Sequence, residues 1–363
     1  MKKLEELVYV SPDELHSLIQ NKLQSAGLKT DHAEEVAKHL VYADAHGIHS
    51  HGAVRVDYYA ERIAKGGLNL SPHFHFEKTG PSTGIYHGEN GSGHVAALEA
   101  LKCGIELAEE TGVGIVGVSR IGHSGMLSYF ADYAAQRDLI CLTVCQSDPM
   151  AVPFGGTEPF FGTNPIAFSA PTANDRPIIF DMATTVQAWG KILDARSKNK
   201  DIPEGWAVNS QGETTTNPHE VQGLLPIAGP KGYGLMMMVD ILSGSLLGLP
   251  FGKHVSSMYA DLSSGRNLGH LHILINPSYF TELSSFKNNL SRMIEDIHAN
   301  PPATGFDRVL YPGELAEVTF AKYQETGIPV AKDIHEYLIS DVIHHNSYDH
   351  GSAFAEKNEE GEE

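Results

Sequence analysis

The stretch GVGIVGVSRIGHSG, residues 112–125, decides how this chain is read. Gly112, Gly114 and Gly117 spell G-x-G-x-x-G, the spacing that lays a dinucleotide over a Rossmann turn. A few residues on, His123 sits in Gly122-His123-Ser124-Gly125. The glycine pattern has the wrong neighbours. A Rossmann fingerprint follows a strand and opens a helix, because the pyrophosphate rests on that helix's N-terminus. Here residues 96–110, rich in Ala, Leu and Glu, predict a helix that Gly112 stops. Val113, Ile115, Val116 and Val118 then predict a buried strand. The next acidic residues give no clear ribose ligand at the expected spacing. Gly114 and Gly117 therefore predict close backbone packing within a strand.

His123 has the stronger claim to chemistry. It ends that strand, in a Gly/Ser turn ahead of a helical pattern over residues 126–136. Strand ends are where α/β folds place their sites, and flanking glycines let a ligand approach closely. Taken alone, one histidine among 20 is better explained by a bond to the turn backbone, so the claim rests on finding partners.

Composition narrows the classes. A chain of 363 residues suffices for one large or two ordinary domains. A net charge of −19 leaves no dominant basic face, so no nucleic-acid partner is expected. Cys103, Cys141 and Cys145 have no metal-finger spacing, and the last two lie on an apolar run that predicts buried thiols. The start MKKLEELVYV carries acidic residues where a signal peptide needs an apolar run, and no segment is apolar over a bilayer's thickness. A cytoplasmic enzyme without membrane contact is the expectation.

Residues up to Gly67 read as helical. Ser11-Pro12-Asp13-Glu14 is a capping box, and Leu15, Leu18, Ile19 and Leu23 form one apolar face before Gly27. A second helix is expected from about Asp31 to Gly47 and a third over residues 54–65. Beyond residue 72 strands and helices interleave. HFHFE alternates as a strand does, and strands are expected over 140–144, 166–170, 177–180 and 271–275, with a Gly- and Pro-rich loop over 147–165. Residues 231–247 predict a buried apolar helix. Residues 281–298 predict an amphipathic one, with Leu283, Phe286, Leu290, Met293 and Ile294 on one side. The tail from Ala355 holds five glutamates and one lysine and predicts a solvated, disordered end. The class is α/β, or mixed α+β.

The densest polar cluster is His46-Gly47-Ile48-His49-Ser50-His51-Gly52, with Arg55 and Tyr59 following. H-x-x-H-x-H suggests a metal, yet no Asp, Glu or Cys completes a known ligand spacing, and no metal is assigned. Arg55 and Tyr59 lie four apart on one helical face, with His51 just before. Guanidinium, phenol and imidazole together make a carboxylate pocket, because Arg grips both oxygens at once. Ser147-Asp148-Pro149 ends the strand over 140–144. Asp148 either orients His123 through its charge or is a turn residue ahead of proline. Three further polar turns flank apolar segments: Asn164-Pro165, residues 181–185, and residues 229–234 with Lys231. The second is expected to close a strand and open a helix whose free amides hold phosphate oxygens.

Taken together, HGIHSHGAVRVDYYAERIAKGG, RIGHSG, CQSDPMAVPFGGTEPFFGTNPIAF, FDMATTVQAWGKILDARSKNKDIPEGWAV and GPKGYGLMMMVDILSG resemble the malate/L-lactate/sulfolactate dehydrogenase family. This family is unrelated to the Rossmann lactate and malate dehydrogenases. The likeness continues through LLGLPFG, SSMYADLSSGRNLGHLHILINP and ISDVIHHNSY, and so covers nearly the whole chain. It implies a dehydrogenase that binds NAD, with NADP as the alternative, on a non-Rossmann mixed sheet and acts on the CH–OH group of a small 2-hydroxy acid. It implies a helical domain made by residues 1–75 with 280–345, a cofactor-binding sheet domain over 76–279, and a tail over 346–363. It implies a homodimer or higher homo-oligomer. In the resemblance His123 is the catalytic base and Asp148 its orienting carboxylate. His51, Arg55 and Tyr59, with Ser50, take the substrate. Ser147, Asn164, Asp181, Met182, Ala183, Lys231, Gly232, Gly313, Glu314 and Leu315 take the cofactor.

Overall fold

The computed structural model describes residues 6–174 and 176–348. The acidic run from Ala355 lies outside the described residues. The chain opens with β1 (Leu7–Val10), α1 (Pro12–Ser25), α2 (Thr30–Ala45) and α3 (Val56–Ala64). Ser11 caps α1 as its sequence requires: Oγ accepts the Glu14 amide at 3.2 Å, with Pro12 in the first turn. Leu15, Ile19 and Leu23 of α1 pack with Val36 and Leu40 of α2.

The sheet segment follows with β2 (His75–Gly80), β3 (Thr83–His87), α4 (Gly93–Thr111), β4 (Val113–Ile121), α5 (Leu127–Ala135), β5 (Ile140–Cys145), β6 (Ile166–Ala170) and β7 (Ile178–Met182). After it come α6 (Trp189–Ser197), the short strands β8 (Ala207–Val208) and β9 (Gly223–Leu224), α7 (Pro230–Ser243), β10 (Leu268–Ile275) and α8 (Leu283–His298). The last elements among the described residues are α9 (Glu314–Thr326), β11 (Ile328–Ala331) and α10 (Lys332–Ile339). The two ends share a core. β1 pairs antiparallel with β11, and Ile328, Val330, Tyr337 and Leu338 join the α1–α2 cluster. The buried Lys22 ammonium ties the last segment down, donating to the carbonyls of Ser340 (2.6 Å) and Val342 (2.8 Å).

The main sheet has seven strands in the order β2-β3-β4-β10-β5-β6-β7. Only β3 and β4 run parallel, so the sheet is mixed. α4 and α5 cover one face, packing Leu101, Ile105 and Phe130 on Cys141, Ala167 and Leu274. α7 covers part of the other through Val239 against Val144 and Leu271.

The glycines of the opening stretch serve this packing. Gly112 stops α4 in the left-handed region at φ +87°. A Cβ on Gly114 would lie 2.0 Å from the Gly104 carbonyl oxygen of α4. One on Gly117 would lie 2.2 Å from a Leu247 methyl.

Three expectations need correction. Residues 181–185 do not open a helix: β7 runs to Met182, and α6 begins only at Trp189. α7 is not buried all round, since Leu235, Met237 and Ile241 are exposed. The apolar side expected on α8 is barely covered, with Ile294 buried but Met293 52% exposed.

The glycine contact gives the first test. Gly114→Ala should force α4 off β4 and destabilise by about 1–3 kcal/mol, read as an earlier denaturant midpoint. Gly190→Ala in α6, where a Cβ meets nothing within 4 Å, should be neutral or stabilise by up to about 1 kcal/mol. Equal midpoints for the two variants would contradict the close contact.

Candidate active site

Strand register decides which residues meet. β10 pairs Leu268 with Ile121 at the end of β4, and His270 with Cys145 at the end of β5. β6 starts opposite Val144, and its Ile166 pairs with Met182 at the end of β7. The ends of β4, β5 and β7 and the starts of β10 and β6 therefore share one rim. His123, Ser147, Asp148, Asn164 and residues 181–183 all leave the sheet there.

The His123 turn is set by close backbone contact. A Cβ on Gly93, at the start of α4, would lie 2.4 Å from the Gly122 carbonyl oxygen and 2.6 Å from that of His123. Gly125 has φ +78°, and a Cβ there would stand 2.4 Å from His39 Nε2 and 2.8 Å from His94 Nε2. His39, fully buried on α2, accepts the Met126 amide at 2.8 Å and so fixes the far side of the turn.

Around this turn gathers a cluster that the sequence named only in part. Tyr59 Oη lies 2.8 Å from His123 Nδ1 and 3.4 Å from His94 Nε2. The His51 ring stacks towards that of His123 with centroids 6.0 Å apart, and Ser50 Oγ lies 3.0 Å from His51 Nδ1. Arg55 donates from Nε to the Ser50 carbonyl at 2.7 Å, and its guanidinium faces Tyr59, Tyr259 and Tyr348. Among the described residues no carboxylate pairs with it. A cation enclosed by phenols calls for an anion from outside.

Electrostatics keep the imidazoles neutral. Burial, then the Arg55 charge, hold His51 down to about 3. Burial, then His51, hold His94 down to about 3. His123 is also pushed well below its ordinary range, by burial first and then by Arg55, His51 and His94. A neutral imidazole at the rim can accept a proton at neutral pH.

Asp148 does not orient His123 directly. Its carboxylate accepts the Met258 amide at 3.0 Å and faces the buried Arg266 guanidinium at 3.5 Å. A buried carboxylate takes the nearest full cation, and Tyr59 occupies His123 Nδ1 instead. The H-x-x-H-x-H cluster also disperses. His46 Nδ1 bonds the Tyr42 carbonyl at 2.7 Å, and His49 Nδ1 bonds Asp44 at 2.8 Å. Among the described residues no group of three metal-ligating side chains forms.

The remaining residues sit in two groups. Ser147 Oγ lies 3.1 Å from Thr163 Oγ1. Asn164 is fully buried and donates to the Met236 carbonyl at 2.9 Å, tying α7 to the rim. The Asp181 carboxylate accepts the Ser128 amide at the start of α5 at 2.8 Å, and burial pushes it up to about 6. Met182 and Ala183 follow it, half-buried. Ile227 donates to the Thr184 carbonyl at 3.0 Å, which brings Lys231 and the start of α7 alongside this group. Gly232 is buried, its Cβ position 1.9 Å from the Ile227 carbonyl oxygen.

Gly313 sits against β7, its Cβ position 2.3 Å from the Ile179 carbonyl oxygen. Glu314 pairs with His298 at 2.8 Å, and Leu315 is exposed. Sequence reasoning missed His94, His39, Arg266 and Tyr259. The turn Gly91-Ser92-Gly93 ahead of His94 was a usable signal; the others have none nearby.

A family model described as malate/L-lactate dehydrogenase matches residues 10–339. The chain belongs to the malate/L-lactate dehydrogenase family. It is 55% identical to a ureidoglycolate dehydrogenase (NAD(+)) of Escherichia coli K12, over 96% of this chain and 99% of that one. It is 39% identical to a malate dehydrogenase of Pyrococcus abyssi, covering 92% and 94% of the two. The solved malate dehydrogenase of Pyrococcus horikoshii superposes with a TM-score of 0.83 at 35% identity, covering 93% and 95%. The malate/L-lactate dehydrogenase family is one of oxidoreductases, and the mixed sheet here is its fold.

The histidine environment is testable without a ligand. In a ¹⁵N NMR titration His51 and His94 should stay neutral from pH 8 to at least pH 5, and protonate only towards about 3. An ordinary midpoint near 6.5 would show that the cluster is solvated. The sign for stability follows. Unfolded histidines bind protons below about pH 6.5, while these two do not until about 3. Their contribution is intact above pH 6.5 and declines as pH falls through that window.

Proposed function

We propose that this chain oxidises (S)-ureidoglycolate to oxalurate with NAD, a step of allantoin degradation, in the cytoplasm. The observation that carries the reading is the juxtaposition of Arg55, with no carboxylate partner among the described residues, and the neutral His123 across Tyr59. A 2-hydroxy acid matches it: a carboxylate for the guanidinium, and one carbon away a hydroxyl for the imidazole. The 55% identity to the Escherichia coli protein supports the substrate and the cofactor.

In this reading Arg55 grips the carboxylate and fixes which face of the carbinol carbon is presented. His51 and Ser50 wall the pocket beside it. His123 accepts the hydroxyl proton at Nε2 as the carbinol becomes a ketone. Asp148 and Arg266, paired below the rim, position the loop that follows β5.

Ser147, Asp181, Met182, Ala183, Lys231, Gly313, Glu314 and Leu315 would hold NAD. Their chemistry suits it. Lys231 is an exposed cation at the opening amides of a 14-residue helix, a setting that favours phosphate oxygens. Ser147 offers a hydroxyl at the rim, and Met182 an apolar surface. Asn164 and Gly232, buried, shape these turns from behind. When bound, NAD supplies the acceptor for the hydride that leaves the carbinol carbon.

The same reading includes a homodimer. Leu235, Met237 and Ile241 on α7, with Leu246 and Phe251 just beyond, leave an apolar surface of the kind subunits cover. Among the described residues no helix is long and apolar enough to cross a membrane.

The test is a panel of ureidoglycolate, malate, lactate and sulfolactate, each with NAD and NADP. The highest kcat/KM is expected for ureidoglycolate with NAD; preference for another acid would transfer the reading to that substrate. His123→Ala should lower kcat by about 10²–10⁴ while NAD still binds by calorimetry. Near-normal turnover would remove His123 as the base. Arg55→Lys should chiefly raise KM, by about 10-fold or more, since a lysine cannot grip both oxygens. Unchanged kinetics would take Arg55 out of the pocket.

A further inference from the structure

We propose that Tyr59 and His94 are positioning residues that hold His123 in the one tautomer able to act as a base, with its proton on Nδ1 and Nε2 bare. The proposal rests on the reading of His123 given above and deepens it. A neutral phenol has a single proton to donate, and Tyr59 Oη faces two imidazole nitrogens, His123 Nδ1 at 2.8 Å and His94 Nε2 at 3.4 Å. Two allotments satisfy both contacts and also direct the phenol proton to one of the two nitrogens.

In the first, Tyr59 donates to His123. The His123 proton must then sit on Nε2, where it blocks the substrate's hydroxyl proton, and His94 must donate to Tyr59. In the second, Tyr59 donates to His94, and His123 Nδ1–H donates to Tyr59. Only this second allotment leaves Nε2 free. It requires an acceptor beyond Tyr59, and His94 Nε2 fills that place. Both imidazoles are neutral and so have one lone pair and one N–H each. Burial also keeps the Tyr59 phenol protonated, raising it well above its ordinary range.

The backbone keeps this geometry from relaxing. His94 is buried in the first turn of α4, and that turn touches the His123 carbonyl through Gly93. His39 packs edge-on against His94 with ring centroids 4.7 Å apart. The three polar groups therefore sit on three elements, α3, α4 and the turn after β4, with little room to exchange partners.

Long-range ¹⁵N–¹H correlation spectra of the free full-length protein at neutral pH read the tautomer directly. His123 should show a protonated Nδ1 and an unprotonated Nε2. In His94→Phe the acceptor is gone, and the Tyr59 proton should turn to His123 Nδ1, moving the His123 proton to Nε2. With the substrate found by the panel, kcat should fall about tenfold or more and KM change little. His94→Gln, whose amide oxygen can accept, should restore the Nδ1–H tautomer and part of kcat.

A wild-type His123 protonated on Nε2 would overturn the proposal. So would a folded His94→Phe variant with unchanged tautomer and kcat. If Phe does not fold, the Gln variant and the wild-type spectrum still decide. The spectra need neither substrate nor cofactor, so a wrong substrate assignment would leave this result standing.

Discussion

The contact between the first turn of α4 and the turn after β4 governs the rest of the site. At Gly93 the two backbones approach so closely that a Cβ would lie 2.4 Å from the Gly122 carbonyl oxygen. His123 is thus placed by main chain against main chain, a far stiffer arrangement than a rotamer choice. The same contact delivers His94, one residue along α4, to the back of the cluster around His123. The counter-contact at Gly125 delivers His39 from α2. These two steric constraints therefore join three imidazoles carried by two helices and one strand end.

Much of this was legible in the sequence. Capping at Ser11, helix stops at Gly27, Gly47 and Gly112, and the helix-before-strand order around Gly114 are local signals with local causes, and each appears in the structure. The Rossmann decoy failed for a concrete steric reason: Gly114 is glycine because the Gly104 carbonyl leaves no space.

The site was less legible where partners come from distant segments. Asp148 stands at the strand end that was expected, but Arg266 claims it, and no property of residues 147–149 announces an arginine from the approach to β10. Tyr59 read as a substrate group because it shares a helical face with Arg55; its bond to His123 depends on the crossing of α3 with the β4 rim. α7 and α8 failed differently. An apolar sequence predicts burial but not by what, and the described residues cover only one side of each.

In the proposed reaction the pocket's charges are coupled in a way that favours turnover. Arg55 is the largest charged influence holding down the basicity of His123, after burial itself. In the proposed reaction the ligand that Arg55 binds is a carboxylate. Its negative charge offsets the guanidinium's and lessens that influence while leaving the walls in place. His123 is then a weaker base in the empty pocket and a stronger one in the filled pocket. The free site resists protonation by solvent, and the base gains strength when a hydroxyl stands beside it. This coupling needs no movement of the backbone. It needs only that the guanidinium lack a carboxylate of its own, as it does among the described residues, and that Asp148 remain paired with Arg266 rather than with the histidine.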